Sequence, residues 1–377
     1  MAWVALQMLY GDRAKYFGLV FGVMFATLLM AQQTSIFVSL MARTASQVTA
    51  VREANLWVMD PRVQYYDEPE PMPATDLDRV RGVPGVAWAV PYYRGLTNVR
   101  APGGLLNQVF LLGLDDASLV GGPQRMLLGA IEDLRRPDAI IIDRAGHEFI
   151  WPGEPLTIGR QIEMNDRTAT IVGISEADAP FTTFPIVHTR YTNALKFAPG
   201  GRNRMSYILG KADRDPAMVA QAITAATGLQ ARTTDDFAWQ TIRYYLSRTG
   251  IPVNFGITVT LGFIVGAAIV GQTFYIFVLE NMKQFGALKA IGVTNATLAG
   301  MVLLQGAVVA LVGYGLGVGL SAGFFALTDG VTALRGFSMP WQIMIGTAGA
   351  VLMIMVVSIF ASLRRVMVLD PAIVFRG

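Results

Sequence analysis

Four long stretches of the chain carry no Asp, Glu, Lys or Arg: residues 16–42, 249–279, 290–328 and 336–363. A charged side chain at the middle of a bilayer-spanning helix costs about 2.5–3.5 kcal/mol on insertion scales. A hydrocarbon core of about 30 Å needs about 20 apolar residues as helix, and every stretch exceeds that. The pattern predicts an α-helical membrane protein with four transmembrane helices, one plus three, at residues 16–42, 249–279, 298–327 and 340–363. A polar insert, residues 43–248, separates the first from the second. The short connections are residues 280–297 and 328–339, and the ends are 1–15 and 364–377.

Inside the insert the pattern changes. Residues 43–51 read as a continuation of the first helix. Residues 55–59 read as a strand, and Pro69, Pro71 and Pro73 mark a loop. Thr75 with Asp78 three residues on resembles a capping box, opening a helix that stops at Gly82, and residues 86–90 form the next strand. A second strand-helix-strand unit begins at residues 205–209. There Asp215 and Pro216 suit the N-cap and first helical position. Met218, Val219, Ala222 and Ile223 share a helical face, Gly228 sits where a C′ glycine belongs, and residues 229–233 are extended. Between the two units, residues 109–114, 139–143 and 156–174 are β-rich, with Asn165 and Asp166 as a hairpin turn between 161–164 and 167–174. The expected insert is a large extracytoplasmic α+β domain, two β-α-β halves with a β-rich lobe between them.

Composition sharpens this division. Residues 43–248 hold 22 basic and 23 acidic residues, whereas the rest of the 377-residue chain holds 8 and 4. The insert is therefore nearly neutral and large enough to bury a core of its own. The pI near 9.1 does not point to nucleic acid, because the excess positive charge flanks the apolar stretches. There is no cysteine, which excludes disulfides and thiolate metal sites. The apolar run after Arg13 and Lys15 exceeds the roughly 7–15 residues of a signal-peptide core, so a retained anchor is expected.

Basic residues favour the cytoplasmic side of short loops. Arg13 and Lys15 precede the first span, Lys283 and Lys289 lie between the second and third, and Arg364, Arg365 and Arg376 follow the fourth. Between the third and fourth only Arg335 stands, against Asp329. An even number of spans then puts both termini in the cytoplasm and the insert outside.

The residues offer little catalytic chemistry. His147 and His188 fit no metal-binding spacing and read as surface or structural. Asp115-Asp116 and Asp235-Asp236 read as solvated turns, and Gly210-Lys211 is not a phosphate loop. No ionisable residue falls within a span, which argues against a proton-driven carrier or an intramembrane protease. Gln32, Gln33, Thr34 and Ser35 form a polar patch suited to hydrogen bonding between helices or to lining a route. Gly315, Gly319 and Gly323, at four-residue spacing, suit close helix packing against a partner subunit or a neighbouring span.

The loop between the second and third spans is long enough for one short helix. Phe285, Leu288 and Gly292 fall on one face, and Glu280, Lys283 and Lys289 surround it with charge. Such a helix either lies in the membrane interface or docks in a groove of a cytosolic partner. The residues alone leave both readings open.

Residues 285–292 read Phe-Gly-Ala-Leu-Lys-Ala-Ile-Gly, which resembles the FG-x-L-K/R-A-x-G signature of the FtsX/MacB-type permeases of ABC transporters. The tail from Arg364-Arg365 through Asp370-Pro371-Ala372 is similar to that family's RR-x-x-x-x-DP-A ending. The spellings at Lys289–Gly292 and Val374–Gly377 look most like the DevC-like branch. The resemblance implies a multi-pass permease of the bacterial inner membrane, not itself an enzyme. Glu280, Lys283, Phe285, Gly286, Leu288, Lys289, Ile291 and Gly292 would form the coupling helix, seated on a separate cytosolic ATPase subunit that holds the ATP and Mg. This chain would carry no cofactor of its own. With about 15 residues before the first span, no fused ATPase is expected. The resemblance also implies a second permease copy paired through the first two spans, two porter-like halves in the insert, and a periplasmic adaptor with an outer-membrane channel. Export of a lipid-like or amphiphilic substrate by motion passed outward is the function it implies. An FtsX-like signalling subunit controlling an extracytoplasmic hydrolase is the alternative.

Overall fold

A computed structural model of the chain describes residues 1–100, 104, 106–198, 204–328, 331, 334 and 336–367, with only the backbone of 361 and 364–367. Asp329, Arg335 and the tail motif at 364–377 lie outside the described side chains. The chain divides into two units, Met1–Ser39 with Gly250–Gly377, and Leu40–Thr249.

In chain order the elements begin with α1 (Ala2–Gly11) and α2 (Arg13–Thr49), then β1 (Leu56–Met59), α3 (Thr75–Arg81), β2 (Val86–Arg100), β3 (Leu106–Leu114) and β4 (Arg125–Leu128). A 3-10 turn (Ile131–Arg135) leads to β5 (Ala139–Asp143), α4 (Arg144–Ile150), β6 (Gln161–Met164), β7 (Arg167–Glu176), β8 (Ile186–Arg190) and α5 (Tyr191–Phe197). The last elements are β9 (Tyr207–Ala212), α6 (Pro216–Thr227), β10 (Gln230–Thr233), α7 (Thr234–Arg248), α8 (Ile251–Glu280), α9 (Met282–Ala290), α10 (Asn295–Thr328) and α11 (Trp341–Met367).

The first unit is built from helices. α2, α8, α10 and the Trp341–Phe360 part of α11 are long and apolar enough to cross a bilayer. Val23 and Ala26 of α2, Phe274 and Phe277 of α8, Val302 and Val309 of α10 and Ile354 of α11 share one buried cluster. Small residues set the helix spacing. A Cβ on Gly317 would lie 2.5 Å from the Thr27 Cβ and 2.7 Å from the Met24 carbonyl, and one on Gly313 would lie 2.6 Å from the Val23 Cβ. Gly315, Gly319 and Gly323 have no neighbouring atom within 4 Å of a Cβ position. The glycine-rich stretch therefore has two faces, and the one packed on α2 is Gly313 and Gly317.

Of the two readings of the polar patch in the first span, hydrogen bonding between helices is not met. Gln32, Gln33 and Thr34 make no hydrogen bond to another helix among the described residues, and the Ser35 hydroxyl is buried without a partner. Other polar groups join the helices instead. The Tyr314 hydroxyl donates to the Met344 carbonyl at 2.9 Å, and the Ser39 hydroxyl donates to the Ser338 carbonyl at 3.1 Å. The segment before the first span also folds: α1 buries Ala5 and Leu9. The amide nitrogen of Gln305, buried in α10, donates to the Ala5 carbonyl at 2.8 Å, which satisfies a donor that lipid could not, while its Oε1 is buried without a partner.

The second unit carries a ten-stranded sheet of order β10-β1-β9-β2-β3-β8-β5-β7-β4, with β6 pairing β2 and β7 off that path. The two expected halves, β1-α3-β2 and β9-α6-β10, interleave as neighbouring antiparallel strands. α3 and α6 cover one face, where Val80, Val219 and Ile223 meet Leu56, Val58 and Ile208. On another face Trp57, Tyr92 and Tyr207 pack with Phe237 of α7 and Val48 of α2. The middle lobe has a separate core around Ile142, Ile171, Val187 and Phe197. It is β-rich as expected, with α4 and α5 embedded in it and with β3–β8 and β5–β7 pairing in parallel.

Several local expectations hold and others need correction. Asn165 and Asp166 both have positive φ, 50° and 60°, and β6 and β7 pair across them from Met164 to Arg167. Asp215 caps α6 by accepting from the Ala217 N–H, and Gly228 ends it in the left-handed region at φ 74°. The inward face of α6 is Val219, Ala220, Ile223 and Thr227; Met218 is exposed and so is Ala222. Thr75 is not a cap: α3 starts at Thr75 itself, after Ala74, with no side-chain cap bond. The strand expected at 86–90 runs through Pro91 to Arg100, since a proline removes only its own ladder donor. That length lets β2 pair β9 with its first half and β3 with its second. Asp235 and Asp236 lie in the first turn of α7, not in a free turn, and Thr233 accepts from the Asp236 N–H.

Candidate coupling site between the second and third spans

α8 ends at Glu280, and Asn281 interrupts the helix at φ −85°, ψ 7°. The Asn281 side chain is held by donating to the Phe277 carbonyl at 2.8 Å. α9 follows as nine residues, Met282–Ala290. Its inward face is Phe285 and Gly286. Phe285 is completely buried in the core of the helical unit, with Met282, Leu288 and Val293 packed at its edge.

The end of α9 is a Schellman turn. The Val293 N–H bonds to the Leu288 carbonyl and the Gly292 N–H to the Lys289 carbonyl, both at 3.0 Å. Gly292 has φ +100° and open space at its Cβ position, so the glycine is there for its backbone conformation. Leu288 and Val293, the residues that such a turn brings together, both border the buried cluster. Chain reversal leaves Ile291 81% exposed at the tip. Lys283, Gln284, Ala290 and Thr294 are exposed beside it. Thr294 then caps α10, accepting from the Thr297 N–H at 3.3 Å.

The structure thus divides the residues singled out in this loop. Ile291 and Lys283 face outward. Phe285, Gly286 and Leu288 position the helix from inside, and Gly292 shapes its end. It is not part of a helical face with Phe285. Glu280 has a partner within the chain, because Lys15 in the first turn of α2 forms an ion pair with it as well as with Asp12. That link between the start of the first span and the end of the second has no local sequence signal, as the two are 265 residues apart.

Several ionisable groups of the insert have structural roles. Arg94 is buried and pairs with Asp67 at 2.6 Å, with its guanidinium 4.5 Å from the Phe110 ring centre. The Tyr245 hydroxyl donates to Asp67 at 2.7 Å, and burial followed by the Asp67 charge pushes that phenol up. His147 and His188 are interior rather than surface residues. Burial lowers both, His188 to about 4. Among the described residues no group of three His, Asp or Glu could hold a metal ion.

Four bilayer-length helices, a sheet-rich domain between the first two and a short capped helix between the next two define a membrane protein of the one-plus-three layout. The profile of the MacB-like periplasmic core domain matches residues 16–226, and that of the FtsX-like permease C-terminal domain matches residues 256–371. The chain belongs to this MacB/FtsX-type family of ABC transporter permeases. An uncharacterized ABC transporter permease of Mycobacterium bovis is 38% identical over 125 residues, 32% of this chain and 33% of that one. The alignment thus spans about a third of that relative. Another uncharacterized ABC transporter permease, from Mycobacterium tuberculosis, is 24% identical over 81% of this chain and 80% of that one. Among solved structures, the extracellular domain of the transporter YknZ from Gram-positive bacteria matches 48% of this chain and 98% of its own, at 16% identity and a TM-score of 0.34. The periplasmic region of MacB from Actinobacillus actinomycetemcomitans matches 52% and 95%, at 12% identity and a TM-score of 0.36.

Proposed function

We propose that this chain is the membrane subunit of a bacterial inner-membrane ABC transporter, and that α9 seats in a groove of a separate cytosolic ATPase. The observation that carries this reading is Ile291. A large apolar side chain is held out at the end of a rigidly capped short helix that also carries Lys283 and Lys289, which is the form of a helix-in-groove anchor. ATP and Mg are bound by the partner, and both termini of this chain lie in the cytoplasm with α9.

Motion of the ATPase reaches α8 through Asn281 and α2 through the Lys15–Glu280 pair. α2 is one helix of 37 residues, about 55 Å at 1.5 Å per residue, well beyond a hydrocarbon core of about 30 Å. A helix of that length can act as a stiff rod from the cytoplasmic face into the insert. Exposed apolar residues on α2 and α8, among them Phe21, Ile257, Leu261 and Ile264, suit pairing with a second copy of the chain. The work done outside is export of a lipid-like or amphiphilic substrate, passed to a periplasmic adaptor and an outer-membrane channel.

The chain has no cysteine, so Ile291→Cys gives a unique thiol for cross-linking in whole cells. The expected product joins this chain to a nucleotide hydrolase. Labelling of Cys at this position by lipid-phase reagents, with no hydrolase captured, would place α9 in the membrane interface and end the coupling reading.

A further inference from the structure

α7 buries Phe237, Ala238, Thr241 and Tyr245. Its opposite stripe, at helical spacing, carries Trp239, Arg243, Ser247 and Arg248. With Arg232 of β10 these residues line one cavity of roughly 570 Å³. Other arginines of the same domain have carboxylate partners, such as Arg62, Arg79, Arg94 and Arg144. Arg232, Arg243 and Arg248 have none among the described residues. Asp236, the only acid lining the cavity, is engaged by the Thr233 hydroxyl at 2.8 Å. Three cations facing one acid make a site of net positive potential, which draws an anion.

The neighbouring surface specifies what kind of anion. Trp239 is 62% exposed and Leu246 also lies outside, so an apolar body would be covered beside the charged head. Guanidinium groups match phosphate with paired N–H donors. Arg248 is also the last charged residue before the charge-free stretch 249–279, and a basic residue at the end of a span is the chemistry of a bilayer interface.

We propose that this face of α7 binds the phosphate head group of an anionic membrane lipid, with Arg243 and Arg248 on the phosphate, Arg232 adding positive potential from the start of the helix, and Trp239 against the glycerol and first acyl carbons. The proposal needs the chain to be membrane-embedded but does not depend on the ATPase contact.

The test uses the full chain in a neutral maltoside detergent and native mass spectrometry. Dihexanoyl phosphatidylglycerol is the probe, with dihexanoyl phosphatidylcholine and inorganic phosphate as comparisons. Phosphatidylglycerol is expected to bind saturably and at least tenfold more tightly than either comparison. Arg232→Gln, Arg243→Gln and Arg248→Gln together should weaken it at least tenfold. Trp239→Ala should weaken the lipid severalfold and leave inorganic phosphate unchanged. All four side chains are exposed, so the variants are expected to keep the wild-type unfolding midpoint. If the triple change lowers it, Arg243→Gln alone is read. Equal binding of phosphatidylcholine, equal binding of inorganic phosphate, or wild-type lipid affinity in the arginine variants would each overturn the proposal. A missing cross-link at Ile291 would leave lipid binding intact, so the two readings fail separately.

Discussion

The Val293 N–H bonds to the Leu288 carbonyl at 3.0 Å, and the loop closed by that bond turns Ile291 outward. Gly292, at φ +100°, is the residue that permits the reversal. An L side chain there costs about 1–2 kcal/mol. Gly292→Val is therefore expected to loosen the turn and cut the yield of the Ile291→Cys cross-link several-fold, while the amount of protein in the membrane stays the same. Comparing cross-link yield with membrane content by immunoblot checks this.

Ile291 and Phe285 are six residues apart and play opposite parts. Ile291→Asp should leave the unfolding midpoint unchanged and abolish co-purification of an ATPase. Phe285→Ala opens a cavity in the buried cluster and should cost about 3–5 kcal/mol. A thermal melt in detergent beside an ATPase pull-down separates the two. If Phe285→Ala left the melt untouched, the inward placement of α9 would be refuted.

The glycines of α10 give a second contrast. Gly317→Val would drive a side chain into Thr27 and the Met24 carbonyl and should lower the melting temperature of the detergent-solubilised chain by several degrees. Gly315→Val meets open space and should leave that temperature unchanged. A loss of dimer on size exclusion with Gly315→Val alone would place a second copy on that face.

His188 makes stability depend on pH. Its folded value of about 4 lies below the ordinary 6.5, so the unfolded chain takes up a proton that the folded chain refuses. The neutral ring costs nothing above pH 6.5. Stability is then lost as pH falls from 6.5 towards 4, by about 3 kcal/mol in all. His188→Leu should flatten that part of the acid limb, apart from what His147 contributes in the same direction. Denaturant midpoints at pH 7 and pH 4.5 for both proteins measure it.

Asp67 compensates the buried Arg94 at 2.6 Å. Asp67→Ala leaves a guanidinium in the interior without its carboxylate and should destabilise the domain by about 2–3 kcal/mol, reduced from the cost of a fully buried pair because Asp67 is partly exposed. Arg94→Met removes the charge and keeps the volume, so it should cost less. The order of the two chemical-denaturation midpoints is the check.

The sequence by itself determined the one-plus-three helices, the α+β insert, and local devices such as the Asn165-Asp166 turn, the Asp215 cap and the Gly228 stop. These follow from local causes: a charge is too costly in lipid wherever it sits, and a turn or cap is decided by two or three adjacent residues. Tertiary structure alone decided which face of an element is buried. Met218 and Val219 are neighbours of similar hydrophobicity, and only the sheet under α6 selects Val219. Gly315 and Gly317 are equally small, and only α2 selects Gly317. Phe285 turns in because the core of the helical unit, assembled from segments hundreds of residues apart, accepts it. The Lys15–Glu280 pair has the same origin, since contacts between distant segments leave no periodic trace in the chain.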